Sequence, residues 1–354
     1  MRKRIGSMLA VAVAVGLAIV PSGAAETAES EPDWPQYRGP ARTGAAALAP
    51  IDGASETLRL RWRIDVGPAF STAAVRDGRV YTGVSDDSTE YLAAFDADDG
   101  KELWRTPIGA VFPNQFGNGP RATPTLDGDL VYVLGGNGRL VAARADSGEL
   151  VWSVEATTAF GAEVPRFGFS GSSIIVGDQL LQDIGGKDGA ALVFLDKRTG
   201  EKKRGVLDGP AGYSSPILAT FGGTPQIVLI RGRSVVGLDV DGAQLWSHPV
   251  EGGVVAMPLP VGDDRLFLSA GDDTGCALLR VAKNDDGWAV EEVWKNRAMR
   301  NHFNSSVVVG DTIYGFDNAT LKAIDVETGE IAWARRGLGK GSLVASGGTL
   351  AVLT

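Results

Sequence analysis

The sequence predicts an all-β protein: a β-propeller of four-stranded antiparallel blades, with six complete repeats and a partial one. Two observations predict this fold. One phrase recurs along the chain, and four strand patterns follow one another in a fixed order between its copies. The phrase is a short apolar strand, a turn that ends in glycine, and a tryptophan four residues later. Recurrence at a period of about 40 to 50 residues indicates a repeat architecture.

Glycine and tryptophan mark the copies of the phrase. The glycines that end the turns are Gly100, Gly148, Gly200, Gly242 and Gly329. The tryptophans of the outer strands are Trp62, Trp104, Trp152, Trp246, Trp294 and Trp333. Arg204 stands at the tryptophan position after Gly200, and with it the spacings are 42, 48, 52, 42, 48 and 39 residues. The sequence therefore predicts seven outer strands.

The four strand patterns, named A to D in chain order, fit different places in a blade. Pattern A is rich in small residues, as in residues 71–75, 170–176 and 304–309, and suits the crowded positions near the axis. An Asp-Gly or Gly-Asp turn, which favours a tight hairpin, usually leads to the apolar pattern B. Pattern C ends in the glycine turn, and pattern D carries the tryptophan. Such a sheet is apolar on both faces, so the sheets must stack radially.

The first 25 residues have the three parts of an export signal. Arg2, Lys3 and Arg4 are basic, residues 8–20 are apolar, and small residues lead to Ala25. We expect cleavage near Ala25, an exported protein that is periplasmic or secreted, and no transmembrane segment in the mature chain. An uncleaved anchor is the alternative, but the apolar run is shorter than the span of about 20 residues that a membrane requires.

Residues 26–57 are predicted to be an N-terminal extension that packs on the propeller. Trp34 and Tyr37 lie among prolines, which exclude a central strand, so we expect a lid or plug; an extended linker is the alternative. The propeller is predicted for residues 58–354. Residues 58–66 have pattern D before any pattern A, so they should join the blade that the C-terminus begins. That blade lacks pattern C, so either the ring closes with a defective blade or the propeller is C-terminally incomplete; we favour the second.

Composition narrows the classes of partner. The formal net charge is −9, and loss of the three positive charges of the signal makes it −12. An acidic exported chain is unsuited to nucleic acid, which requires basic patches. Cys276 is the single cysteine, so no intrachain disulfide can form, and we expect it to be a buried apolar residue. Residues 96–100 faintly resemble a calcium loop, but the twelfth position is Pro107, and a hairpin turn explains them.

Several segments of the sequence resemble those of a known family. The phrase at residues 321–333 is similar to the repeat of pyrroloquinoline-quinone (PQQ)-type propellers. Residues 34–40, 117–124, 211–216 and 302–306 resemble secreted bacterial proteins of that repeat type, which build eight blades. The resemblance implies one of two functions. Quinoprotein dehydrogenases hold PQQ and calcium on the axis, and the outer-membrane assembly lipoprotein is a non-catalytic scaffold.

The sequence departs from both relatives. One cysteine excludes the vicinal cysteine pair of the dehydrogenases, and neither a haem-attachment motif nor an acidic cluster on an inner strand is present. Ala25 and Glu26 stand where the lipoprotein has its lipidated cysteine. His248 falls on an outer strand and His302 enters an inner one, so they do not form a metal or nucleophile site. We therefore predict no catalytic, cofactor-binding or metal-binding residues.

The mouth of the axial funnel is the predicted binding site. Loops from strand D to strand A converge there and carry polar and aromatic side chains, which is the usual pattern of a binding site. The candidates are Asn114, Asn118, Arg121, Arg166, Tyr213, His302 and Asn304. The alternative is that these groups only cap the axis. We predict a non-catalytic scaffold without cofactor that binds an envelope or secreted protein or another ligand; the alternative is a PQQ-dependent alcohol or sugar dehydrogenase with a degenerate site for PQQ and calcium.

Overall fold

The computed structural model describes residues 33–46, 60–271 and 273–354, and the backbone of residues 11–13. The remainder of the predicted signal segment lies outside the described residues. Two short strands, β1 (Val11–Val13) and β2 (Ala45–Ala46), precede the repeats. The strands of the described chain form seven four-stranded sheets, and the helix α1 (Ala156–Ala159) has a single turn. The all-β propeller prediction is confirmed.

Six sheets are complete antiparallel blades that follow the chain. Blades 1 and 2 comprise β3 (Ala74–Arg76), β4 (Arg79–Ser85), β5 (Thr89–Asp96), β6 (Glu102–Ala110), β7 (Thr125–Asp127), β8 (Leu130–Leu134), β9 (Arg139–Arg144) and β10 (Leu150–Glu155). Blades 3 and 4 comprise β11 (Ile174–Val176), β12 (Gln179–Asp183), β13 (Leu192–Asp196), β14 (Lys202–Val206), β15 (Ile217–Phe221), β16 (Thr224–Arg231), β17 (Ser234–Leu238) and β18 (Gln244–Pro249). Blades 5 and 6 comprise β19 (Leu259–Val261), β20 (Arg265–Ala270), β21 (Gly275–Asn284), β22 (Gly287–Asn296), β23 (Val307–Val309), β24 (Thr312–Asp317), β25 (Thr320–Asp325) and β26 (Ile331–Arg335).

The seventh sheet combines the two ends of the chain. Its hairpin is β27 (Ser342–Ser346) and β28 (Thr349–Leu353), with β2 parallel to β27 and β1 parallel to β28. Residues 60–66 are not a strand, so the predicted pattern D strand at residues 58–66 is wrong over its described part. These residues instead lie against blade 1, where Ile64 and Val66 pack on Phe95. They have no strand C beside them with which to form a ladder.

Tryptophans join neighbouring blades at the rim. The ring of Trp104 lies over the turn of blade 2, and its Nε1 donates to the carbonyl oxygen of Ala145 at 3.2 Å. A Cβ on Gly148, whose φ is 74°, would lie 2.5 Å from that ring, so only glycine fits. Three more tryptophans make the same joint. Trp62, Trp152 and Trp294 donate from Nε1 to the carbonyl oxygens of Ala97, Lys197 and Val326. The recurring phrase is therefore an inter-blade joint.

The outer strands of blades 3 and 4 depart from this joint. Arg204 stacks on Phe194 at 4.0 Å and donates to the carbonyl oxygen of Val240, so a guanidinium group takes the place of the indole. Trp246 stays in its own blade, where Nε1 donates to Gln226 Oε1 at 2.6 Å. The blade 5 strands β21 and β22 are ten residues each, and their hairpin turn offers no glycine surface to Trp246.

Inner strands are shorter than the sequence predicts. Ladder pairing begins at Ala74, Thr125, Ile174, Ile217, Leu259 and Val307, several residues after each small-residue run begins. Hydroxyl groups hold the run across the blades instead. The amide of Thr123 donates to Ser172 Oγ, and the amide of Ser172 donates to Ser215 Oγ, both at 2.9 Å. We call this series of cross-blade bonds the hydroxyl belt. Small residues near the axis thus supply hydrogen bonds as well as room.

Candidate functional site

The loops from strand D to strand A all lie at one end of the propeller, because each blade is an antiparallel meander. We call this end the mouth face. Glu90 anchors its first long loop: the fully buried carboxylate accepts from the amides of Phe112 (3.0 Å) and Gly136 (2.8 Å). Burial raises the pKa of Glu90 above its usual value. A buried carboxylate therefore ties the loop of blade 1 to blade 2.

Three aromatic rings form a chain across the mouth face. Phe116 and Phe167 have ring centroids 5.8 Å apart, and Phe167 and Tyr213 have centroids 5.7 Å apart. The hydroxyl of Tyr213 accepts from the Phe167 amide at 3.3 Å. Phe116 is 69% exposed, so the chain ends on an open apolar surface. These rings link the loops that precede blades 2, 3 and 4.

Polar candidates hold this chain of rings in place. Asn114 donates from Nδ2 to the carbonyl oxygen of Arg166 at 3.1 Å, which connects the two long loops. Asn118 Oδ1 accepts from the Asn114 amide at 2.9 Å. Arg166 is exposed and lies 5.1 Å from the Phe167 ring centroid. Among the described residues no carboxylate lies within ion-pair distance of Arg166. The arrangement offers a cation and stacked rings to a ligand.

Arg121 is partly withdrawn from the surface of the mouth. Its guanidinium group lies 4.7 Å from the Phe112 ring and 5.3 Å from the Phe70 ring. It donates to the carbonyl oxygens of Gly117 and Gly119 in its own loop. Burial lowers the pKa of Arg121, which the Coulombic attraction of Glu90 partly offsets. This arginine therefore stabilises the conformation of its own loop.

His302 and Asn304 belong to a second group on the loop before blade 6. His302 stacks on Phe303 with centroids 3.7 Å apart, and its Nδ1 lies 2.8 Å from Lys340 Nζ. Phe303 is 63% exposed, whereas Asn304 is half-buried. Asn114, Asn118, Arg121, Arg166 and Tyr213 thus come together as one cluster, and His302 forms another with Phe303 and Lys340. Sequence reasoning missed Phe303, which lies within residues 302–306, and Lys340, which lies on the next loop between blades.

Residues 33–46 lie along the inner strands of most blades, and we call them the axial segment. Trp34 exchanges two backbone hydrogen bonds with Val75 of blade 1, and the Leu126 amide of blade 2 donates to Pro35. Tyr37 packs against the apolar cluster of blades 4 and 5. At its other end, β2 pairs with β27. One short stretch therefore touches both ends of the ring.

Two buried arginines fix the axial segment to the ring. Arg42 is 2% exposed and donates to the carbonyl oxygens of Ser172, Ser173 and Pro216 in blades 3 and 4. Arg38 donates to the carbonyl oxygens of Ser305 (3.1 Å) and Ser306 in blade 6. Burial lowers the pKa of Arg42 to about 9 and that of Arg38 to about 10. Sequence reasoning missed Arg42 because its acceptors are backbone atoms far along the chain.

The residues near the axis do not fit a calcium–quinone pair. A calcium ion is held by several carboxylate and carbonyl oxygens. In the part of the chain that the structure describes, no three His, Cys, Asp or Glu side chains are grouped for a metal. Inner-strand carbonyl oxygens of blades 3, 4 and 6 already accept from guanidinium groups, which would repel a divalent cation. We derive no reaction step through such a cofactor.

The structure also locates Cys276 and His248, which the sequence analysis considered. Cys276 is buried, and burial raises the pKa of its thiol to about 11. His248 lies on β18, half-buried, with a pKa lowered by burial. Residues 336–341 connect β26 to β27. No helix within the described ranges is long and apolar enough to cross a membrane.

Comparisons with known proteins point to one repeat type. A family model described as outer membrane protein assembly factor BamB matches residues 88–335. The quinohemoprotein alcohol dehydrogenase ADH IIB of Pseudomonas putida is 30% identical over 164 residues, which are 43% of this chain and 23% of that protein. The chain thus spans about a quarter of the length of this curated relative.

Two solved structures share the fold. BamB from Moraxella catarrhalis has a TM-score of 0.55 at 16% identity, over 78% of this chain and 76% of that one. The quinohemoprotein alcohol dehydrogenase from Comamonas testosteroni has a TM-score of 0.59 at 13% identity, over 90% of this chain and 69% of that one. At these identities the likeness concerns the fold alone.

Proposed function

We propose, from the premise that this chain belongs to the family of outer membrane protein assembly factor BamB, that it is a non-catalytic scaffold. It is exported through the signal of residues 1–25 and binds a protein partner from the envelope or the medium. Cleavage of this signal removes β1, so the seventh sheet of the mature chain keeps β2, β27 and β28. The partner docks on the mouth face. Neither nucleic acid nor a cofactor takes part in this function.

The exposed aromatic chain of the mouth face carries the proposal. Phe116 is the outermost ring, and Phe167 and Tyr213 support it from the loops of two further blades. Aromatic residues and arginine are enriched at protein interfaces, so an exposed ring beside an arginine with no ion-pair partner among the described residues favours a docking surface. Arg166 supplies that cation. A cap that only closes the axis requires neither group to be exposed.

Capture of a partner tests the proposal. The intact protein is used as bait in an envelope extract of the source organism, beside Phe116→Ala, Arg166→Ala and the control Leu150→Ala. Leu150 is exposed at 44% on the outer strand β10, far from the mouth loops. We expect one partner to bind the wild-type protein and the control and to be lost from both mouth variants. Absence of any partner, or equal capture by all four proteins, contradicts the proposal.

A PQQ-dependent dehydrogenase of alcohols or sugars is the second candidate. The 30% identity to a quinohemoprotein alcohol dehydrogenase supports it, although the groups near the axis do not favour it. Adding PQQ and calcium to the protein tests it directly. We expect neither bound quinone absorbance nor reduction of a dye with an alcohol or sugar. Turnover that requires both additions would replace the scaffold proposal.

A further inference from the structure

A cleft of about 300 Å³ opens between blades 4 and 5, away from the aromatic chain of the mouth face. One wall is the end of β18 with the loop that follows, from His248 to Val254. The other wall is one face of the blade 5 sheet. Leu268 pairs with Ala277, and Ala277 pairs with Lys295, so these three side chains share that face. Its volume is at the lower end of the range for ligand pockets, about 300 to 1,000 Å³.

Several of the residues that line the cleft have small side chains. Ala270, Gly275, Cys276 and Ala277 line the blade 5 side. Trp246 does not reach into the cleft because its indole is bonded within blade 4. The interior surface is apolar, with Leu268, Leu279 and Val250 among its lining residues.

Two carboxylates and one ammonium group are among the residues that line the cleft. Lys295 Nζ and Glu251 Oε1 are 2.9 Å apart, so this pair spans the entrance and cancels. Glu292 also lines the cleft and has no ion-pair partner among the described residues. Burial lowers the pKa of His248, which favours its neutral form, and the Coulombic attraction of Glu292 partly offsets this. The described lining therefore carries one uncompensated negative charge.

We propose that this cleft binds a small, mainly apolar molecule that carries one cationic amine. The apolar body contacts Leu268, Ala277 and Leu279, and the ammonium group lies beside the Glu292 carboxylate. Glu292 is exposed at the edge of the cleft, where its carboxylate attracts a cation and repels an anion. This inference does not rest on the proposed function, because the cleft and the aromatic chain of Phe116, Phe167 and Tyr213 use different residues.

Isothermal titration of the whole protein with three matched probes tests the proposal. 2-Phenylethylamine, 2-phenylethanol and phenylacetate share one ring and differ in charge. We expect the amine to bind most tightly, the alcohol more weakly and phenylacetate not at all. Glu292→Gln should lower the affinity for the amine about threefold to tenfold and leave the alcohol unchanged, as loss of one partly exposed charge pair predicts. Glu291→Gln is the control, since Glu291 does not line the cleft.

A second variant locates the binding site. Ala277→Phe places a ring in the cleft and should abolish binding of both the amine and the alcohol. Equal binding of all three probes, or no binding of any, overturns the proposal. So does an unchanged amine affinity in Ala277→Phe, or an equal loss in Glu291→Gln and Glu292→Gln. None of these results bears on capture of a partner at the mouth face.

Discussion

The rim and the axis of this propeller connect the same blades by different chemistry. At the rim, an indole of one blade covers the turn glycine of the next, as Trp104 covers Gly148. At the axis, a hydroxyl of one blade accepts the amide of its neighbour, as Ser172 accepts Thr123. An apolar joint is strong because it removes a large area from water. A polar joint contributes little net free energy. Removing one of its two partners is nevertheless costly, because the other is left buried without a hydrogen bond.

In the middle blades, both the rim and the hydroxyl belt have positions where the usual side chain is replaced. At the rim, Arg204 keeps the carbonyl bond of the joint but not the indole. In the belt, Met257 of blade 5 has no hydroxyl group, although its amide still donates to Ser305 Oγ at 2.9 Å. Ser214 Oγ, which donates to the Ala256 carbonyl, joins blades 4 and 5 instead. Each joint is one side chain, so a blade can change it without disturbing the others.

Removing a rim joint should have the largest effect. Trp104→Ala is expected to lower the free energy of unfolding by about 3–5 kcal/mol, the usual loss for a large packed aromatic residue. Urea denaturation measures it. Leu103→Ala, beside it but 41% exposed, should cost less than about 1 kcal/mol. Equal effects of the two substitutions would show that the rim is not held by its tryptophans.

The axial segment tests whether the axis depends on charged donors. Arg42→Ala should lower the free energy of unfolding by about 3 kcal/mol, because three buried carbonyl oxygens lose a charged donor. The control is Arg63→Ala, an exposed arginine at the edge of blade 1, which should change stability by less than about 0.5 kcal/mol. A loss in Arg42→Ala no larger than in the control would mean that water replaces the guanidinium group without cost.

A buried ion pair between blades 3 and 4 differs from both kinds of joint. Asp183 and Arg231 approach to 2.5 Å, yet burial raises the pKa of Asp183 to about 6. A carboxyl whose pKa is higher in the folded than in the unfolded state binds its proton more tightly when folded. Its contribution to stability is therefore greatest below about pH 4 and falls as the pH rises through 6.

Comparison with Asp183→Asn isolates this contribution. From pH 4 to pH 7, the free energy of unfolding of the wild-type protein should fall relative to that of the variant by about 2–3 kcal/mol. Urea denaturation at a series of pH values measures the difference. A relative gain of the wild type over the same range would show that Arg231 outweighs burial and lowers the pKa.

Removing one hydroxyl of the belt should have the smallest effect of the four changes. Ser172→Ala leaves the buried amide of Thr123 without its acceptor, which is expected to cost about 1–2 kcal/mol. Ser153→Ala on the exposed face of β10 is the control, and should be near neutral. A cost as large as that of Trp104→Ala would remove the distinction between axis and rim.

Sequence predicts the rim better than the axis because the rim repeats locally. Gly148 and Trp152 are four residues apart, so one hairpin explains both, and the blades could be counted from them. The partners of Ser172 lie in two other blades, and those of Arg42 are backbone oxygens. No local pattern encodes such contacts, and so pattern A predicted inner strands that begin too early.

The candidate site shows the same limit. The order of the strands places the loops of Asn114, Arg166 and Tyr213 at one end, which is why sequence reasoning grouped them. The stacking of Phe116 on Phe167, which gives the cluster its surface, depends on two loop conformations that the sequence does not specify. Lys340 meets His302 across two blades and lay outside the prediction for the same reason. The binding role of these residues stays a prediction.

The axial segment also has a consequence for the order of folding. It leaves the ribosome before any blade, but Arg38 requires carbonyl oxygens 267 and 268 residues further along the chain. Contacts of such separation form late, since the intervening chain must first be ordered. Arg38 thus reaches its acceptors only after blade 6 has been made. Trp34 can pair with Val75 as soon as blade 1 has formed, so the segment docks in stages, from its first residues near blade 1 to Arg38 at blade 6.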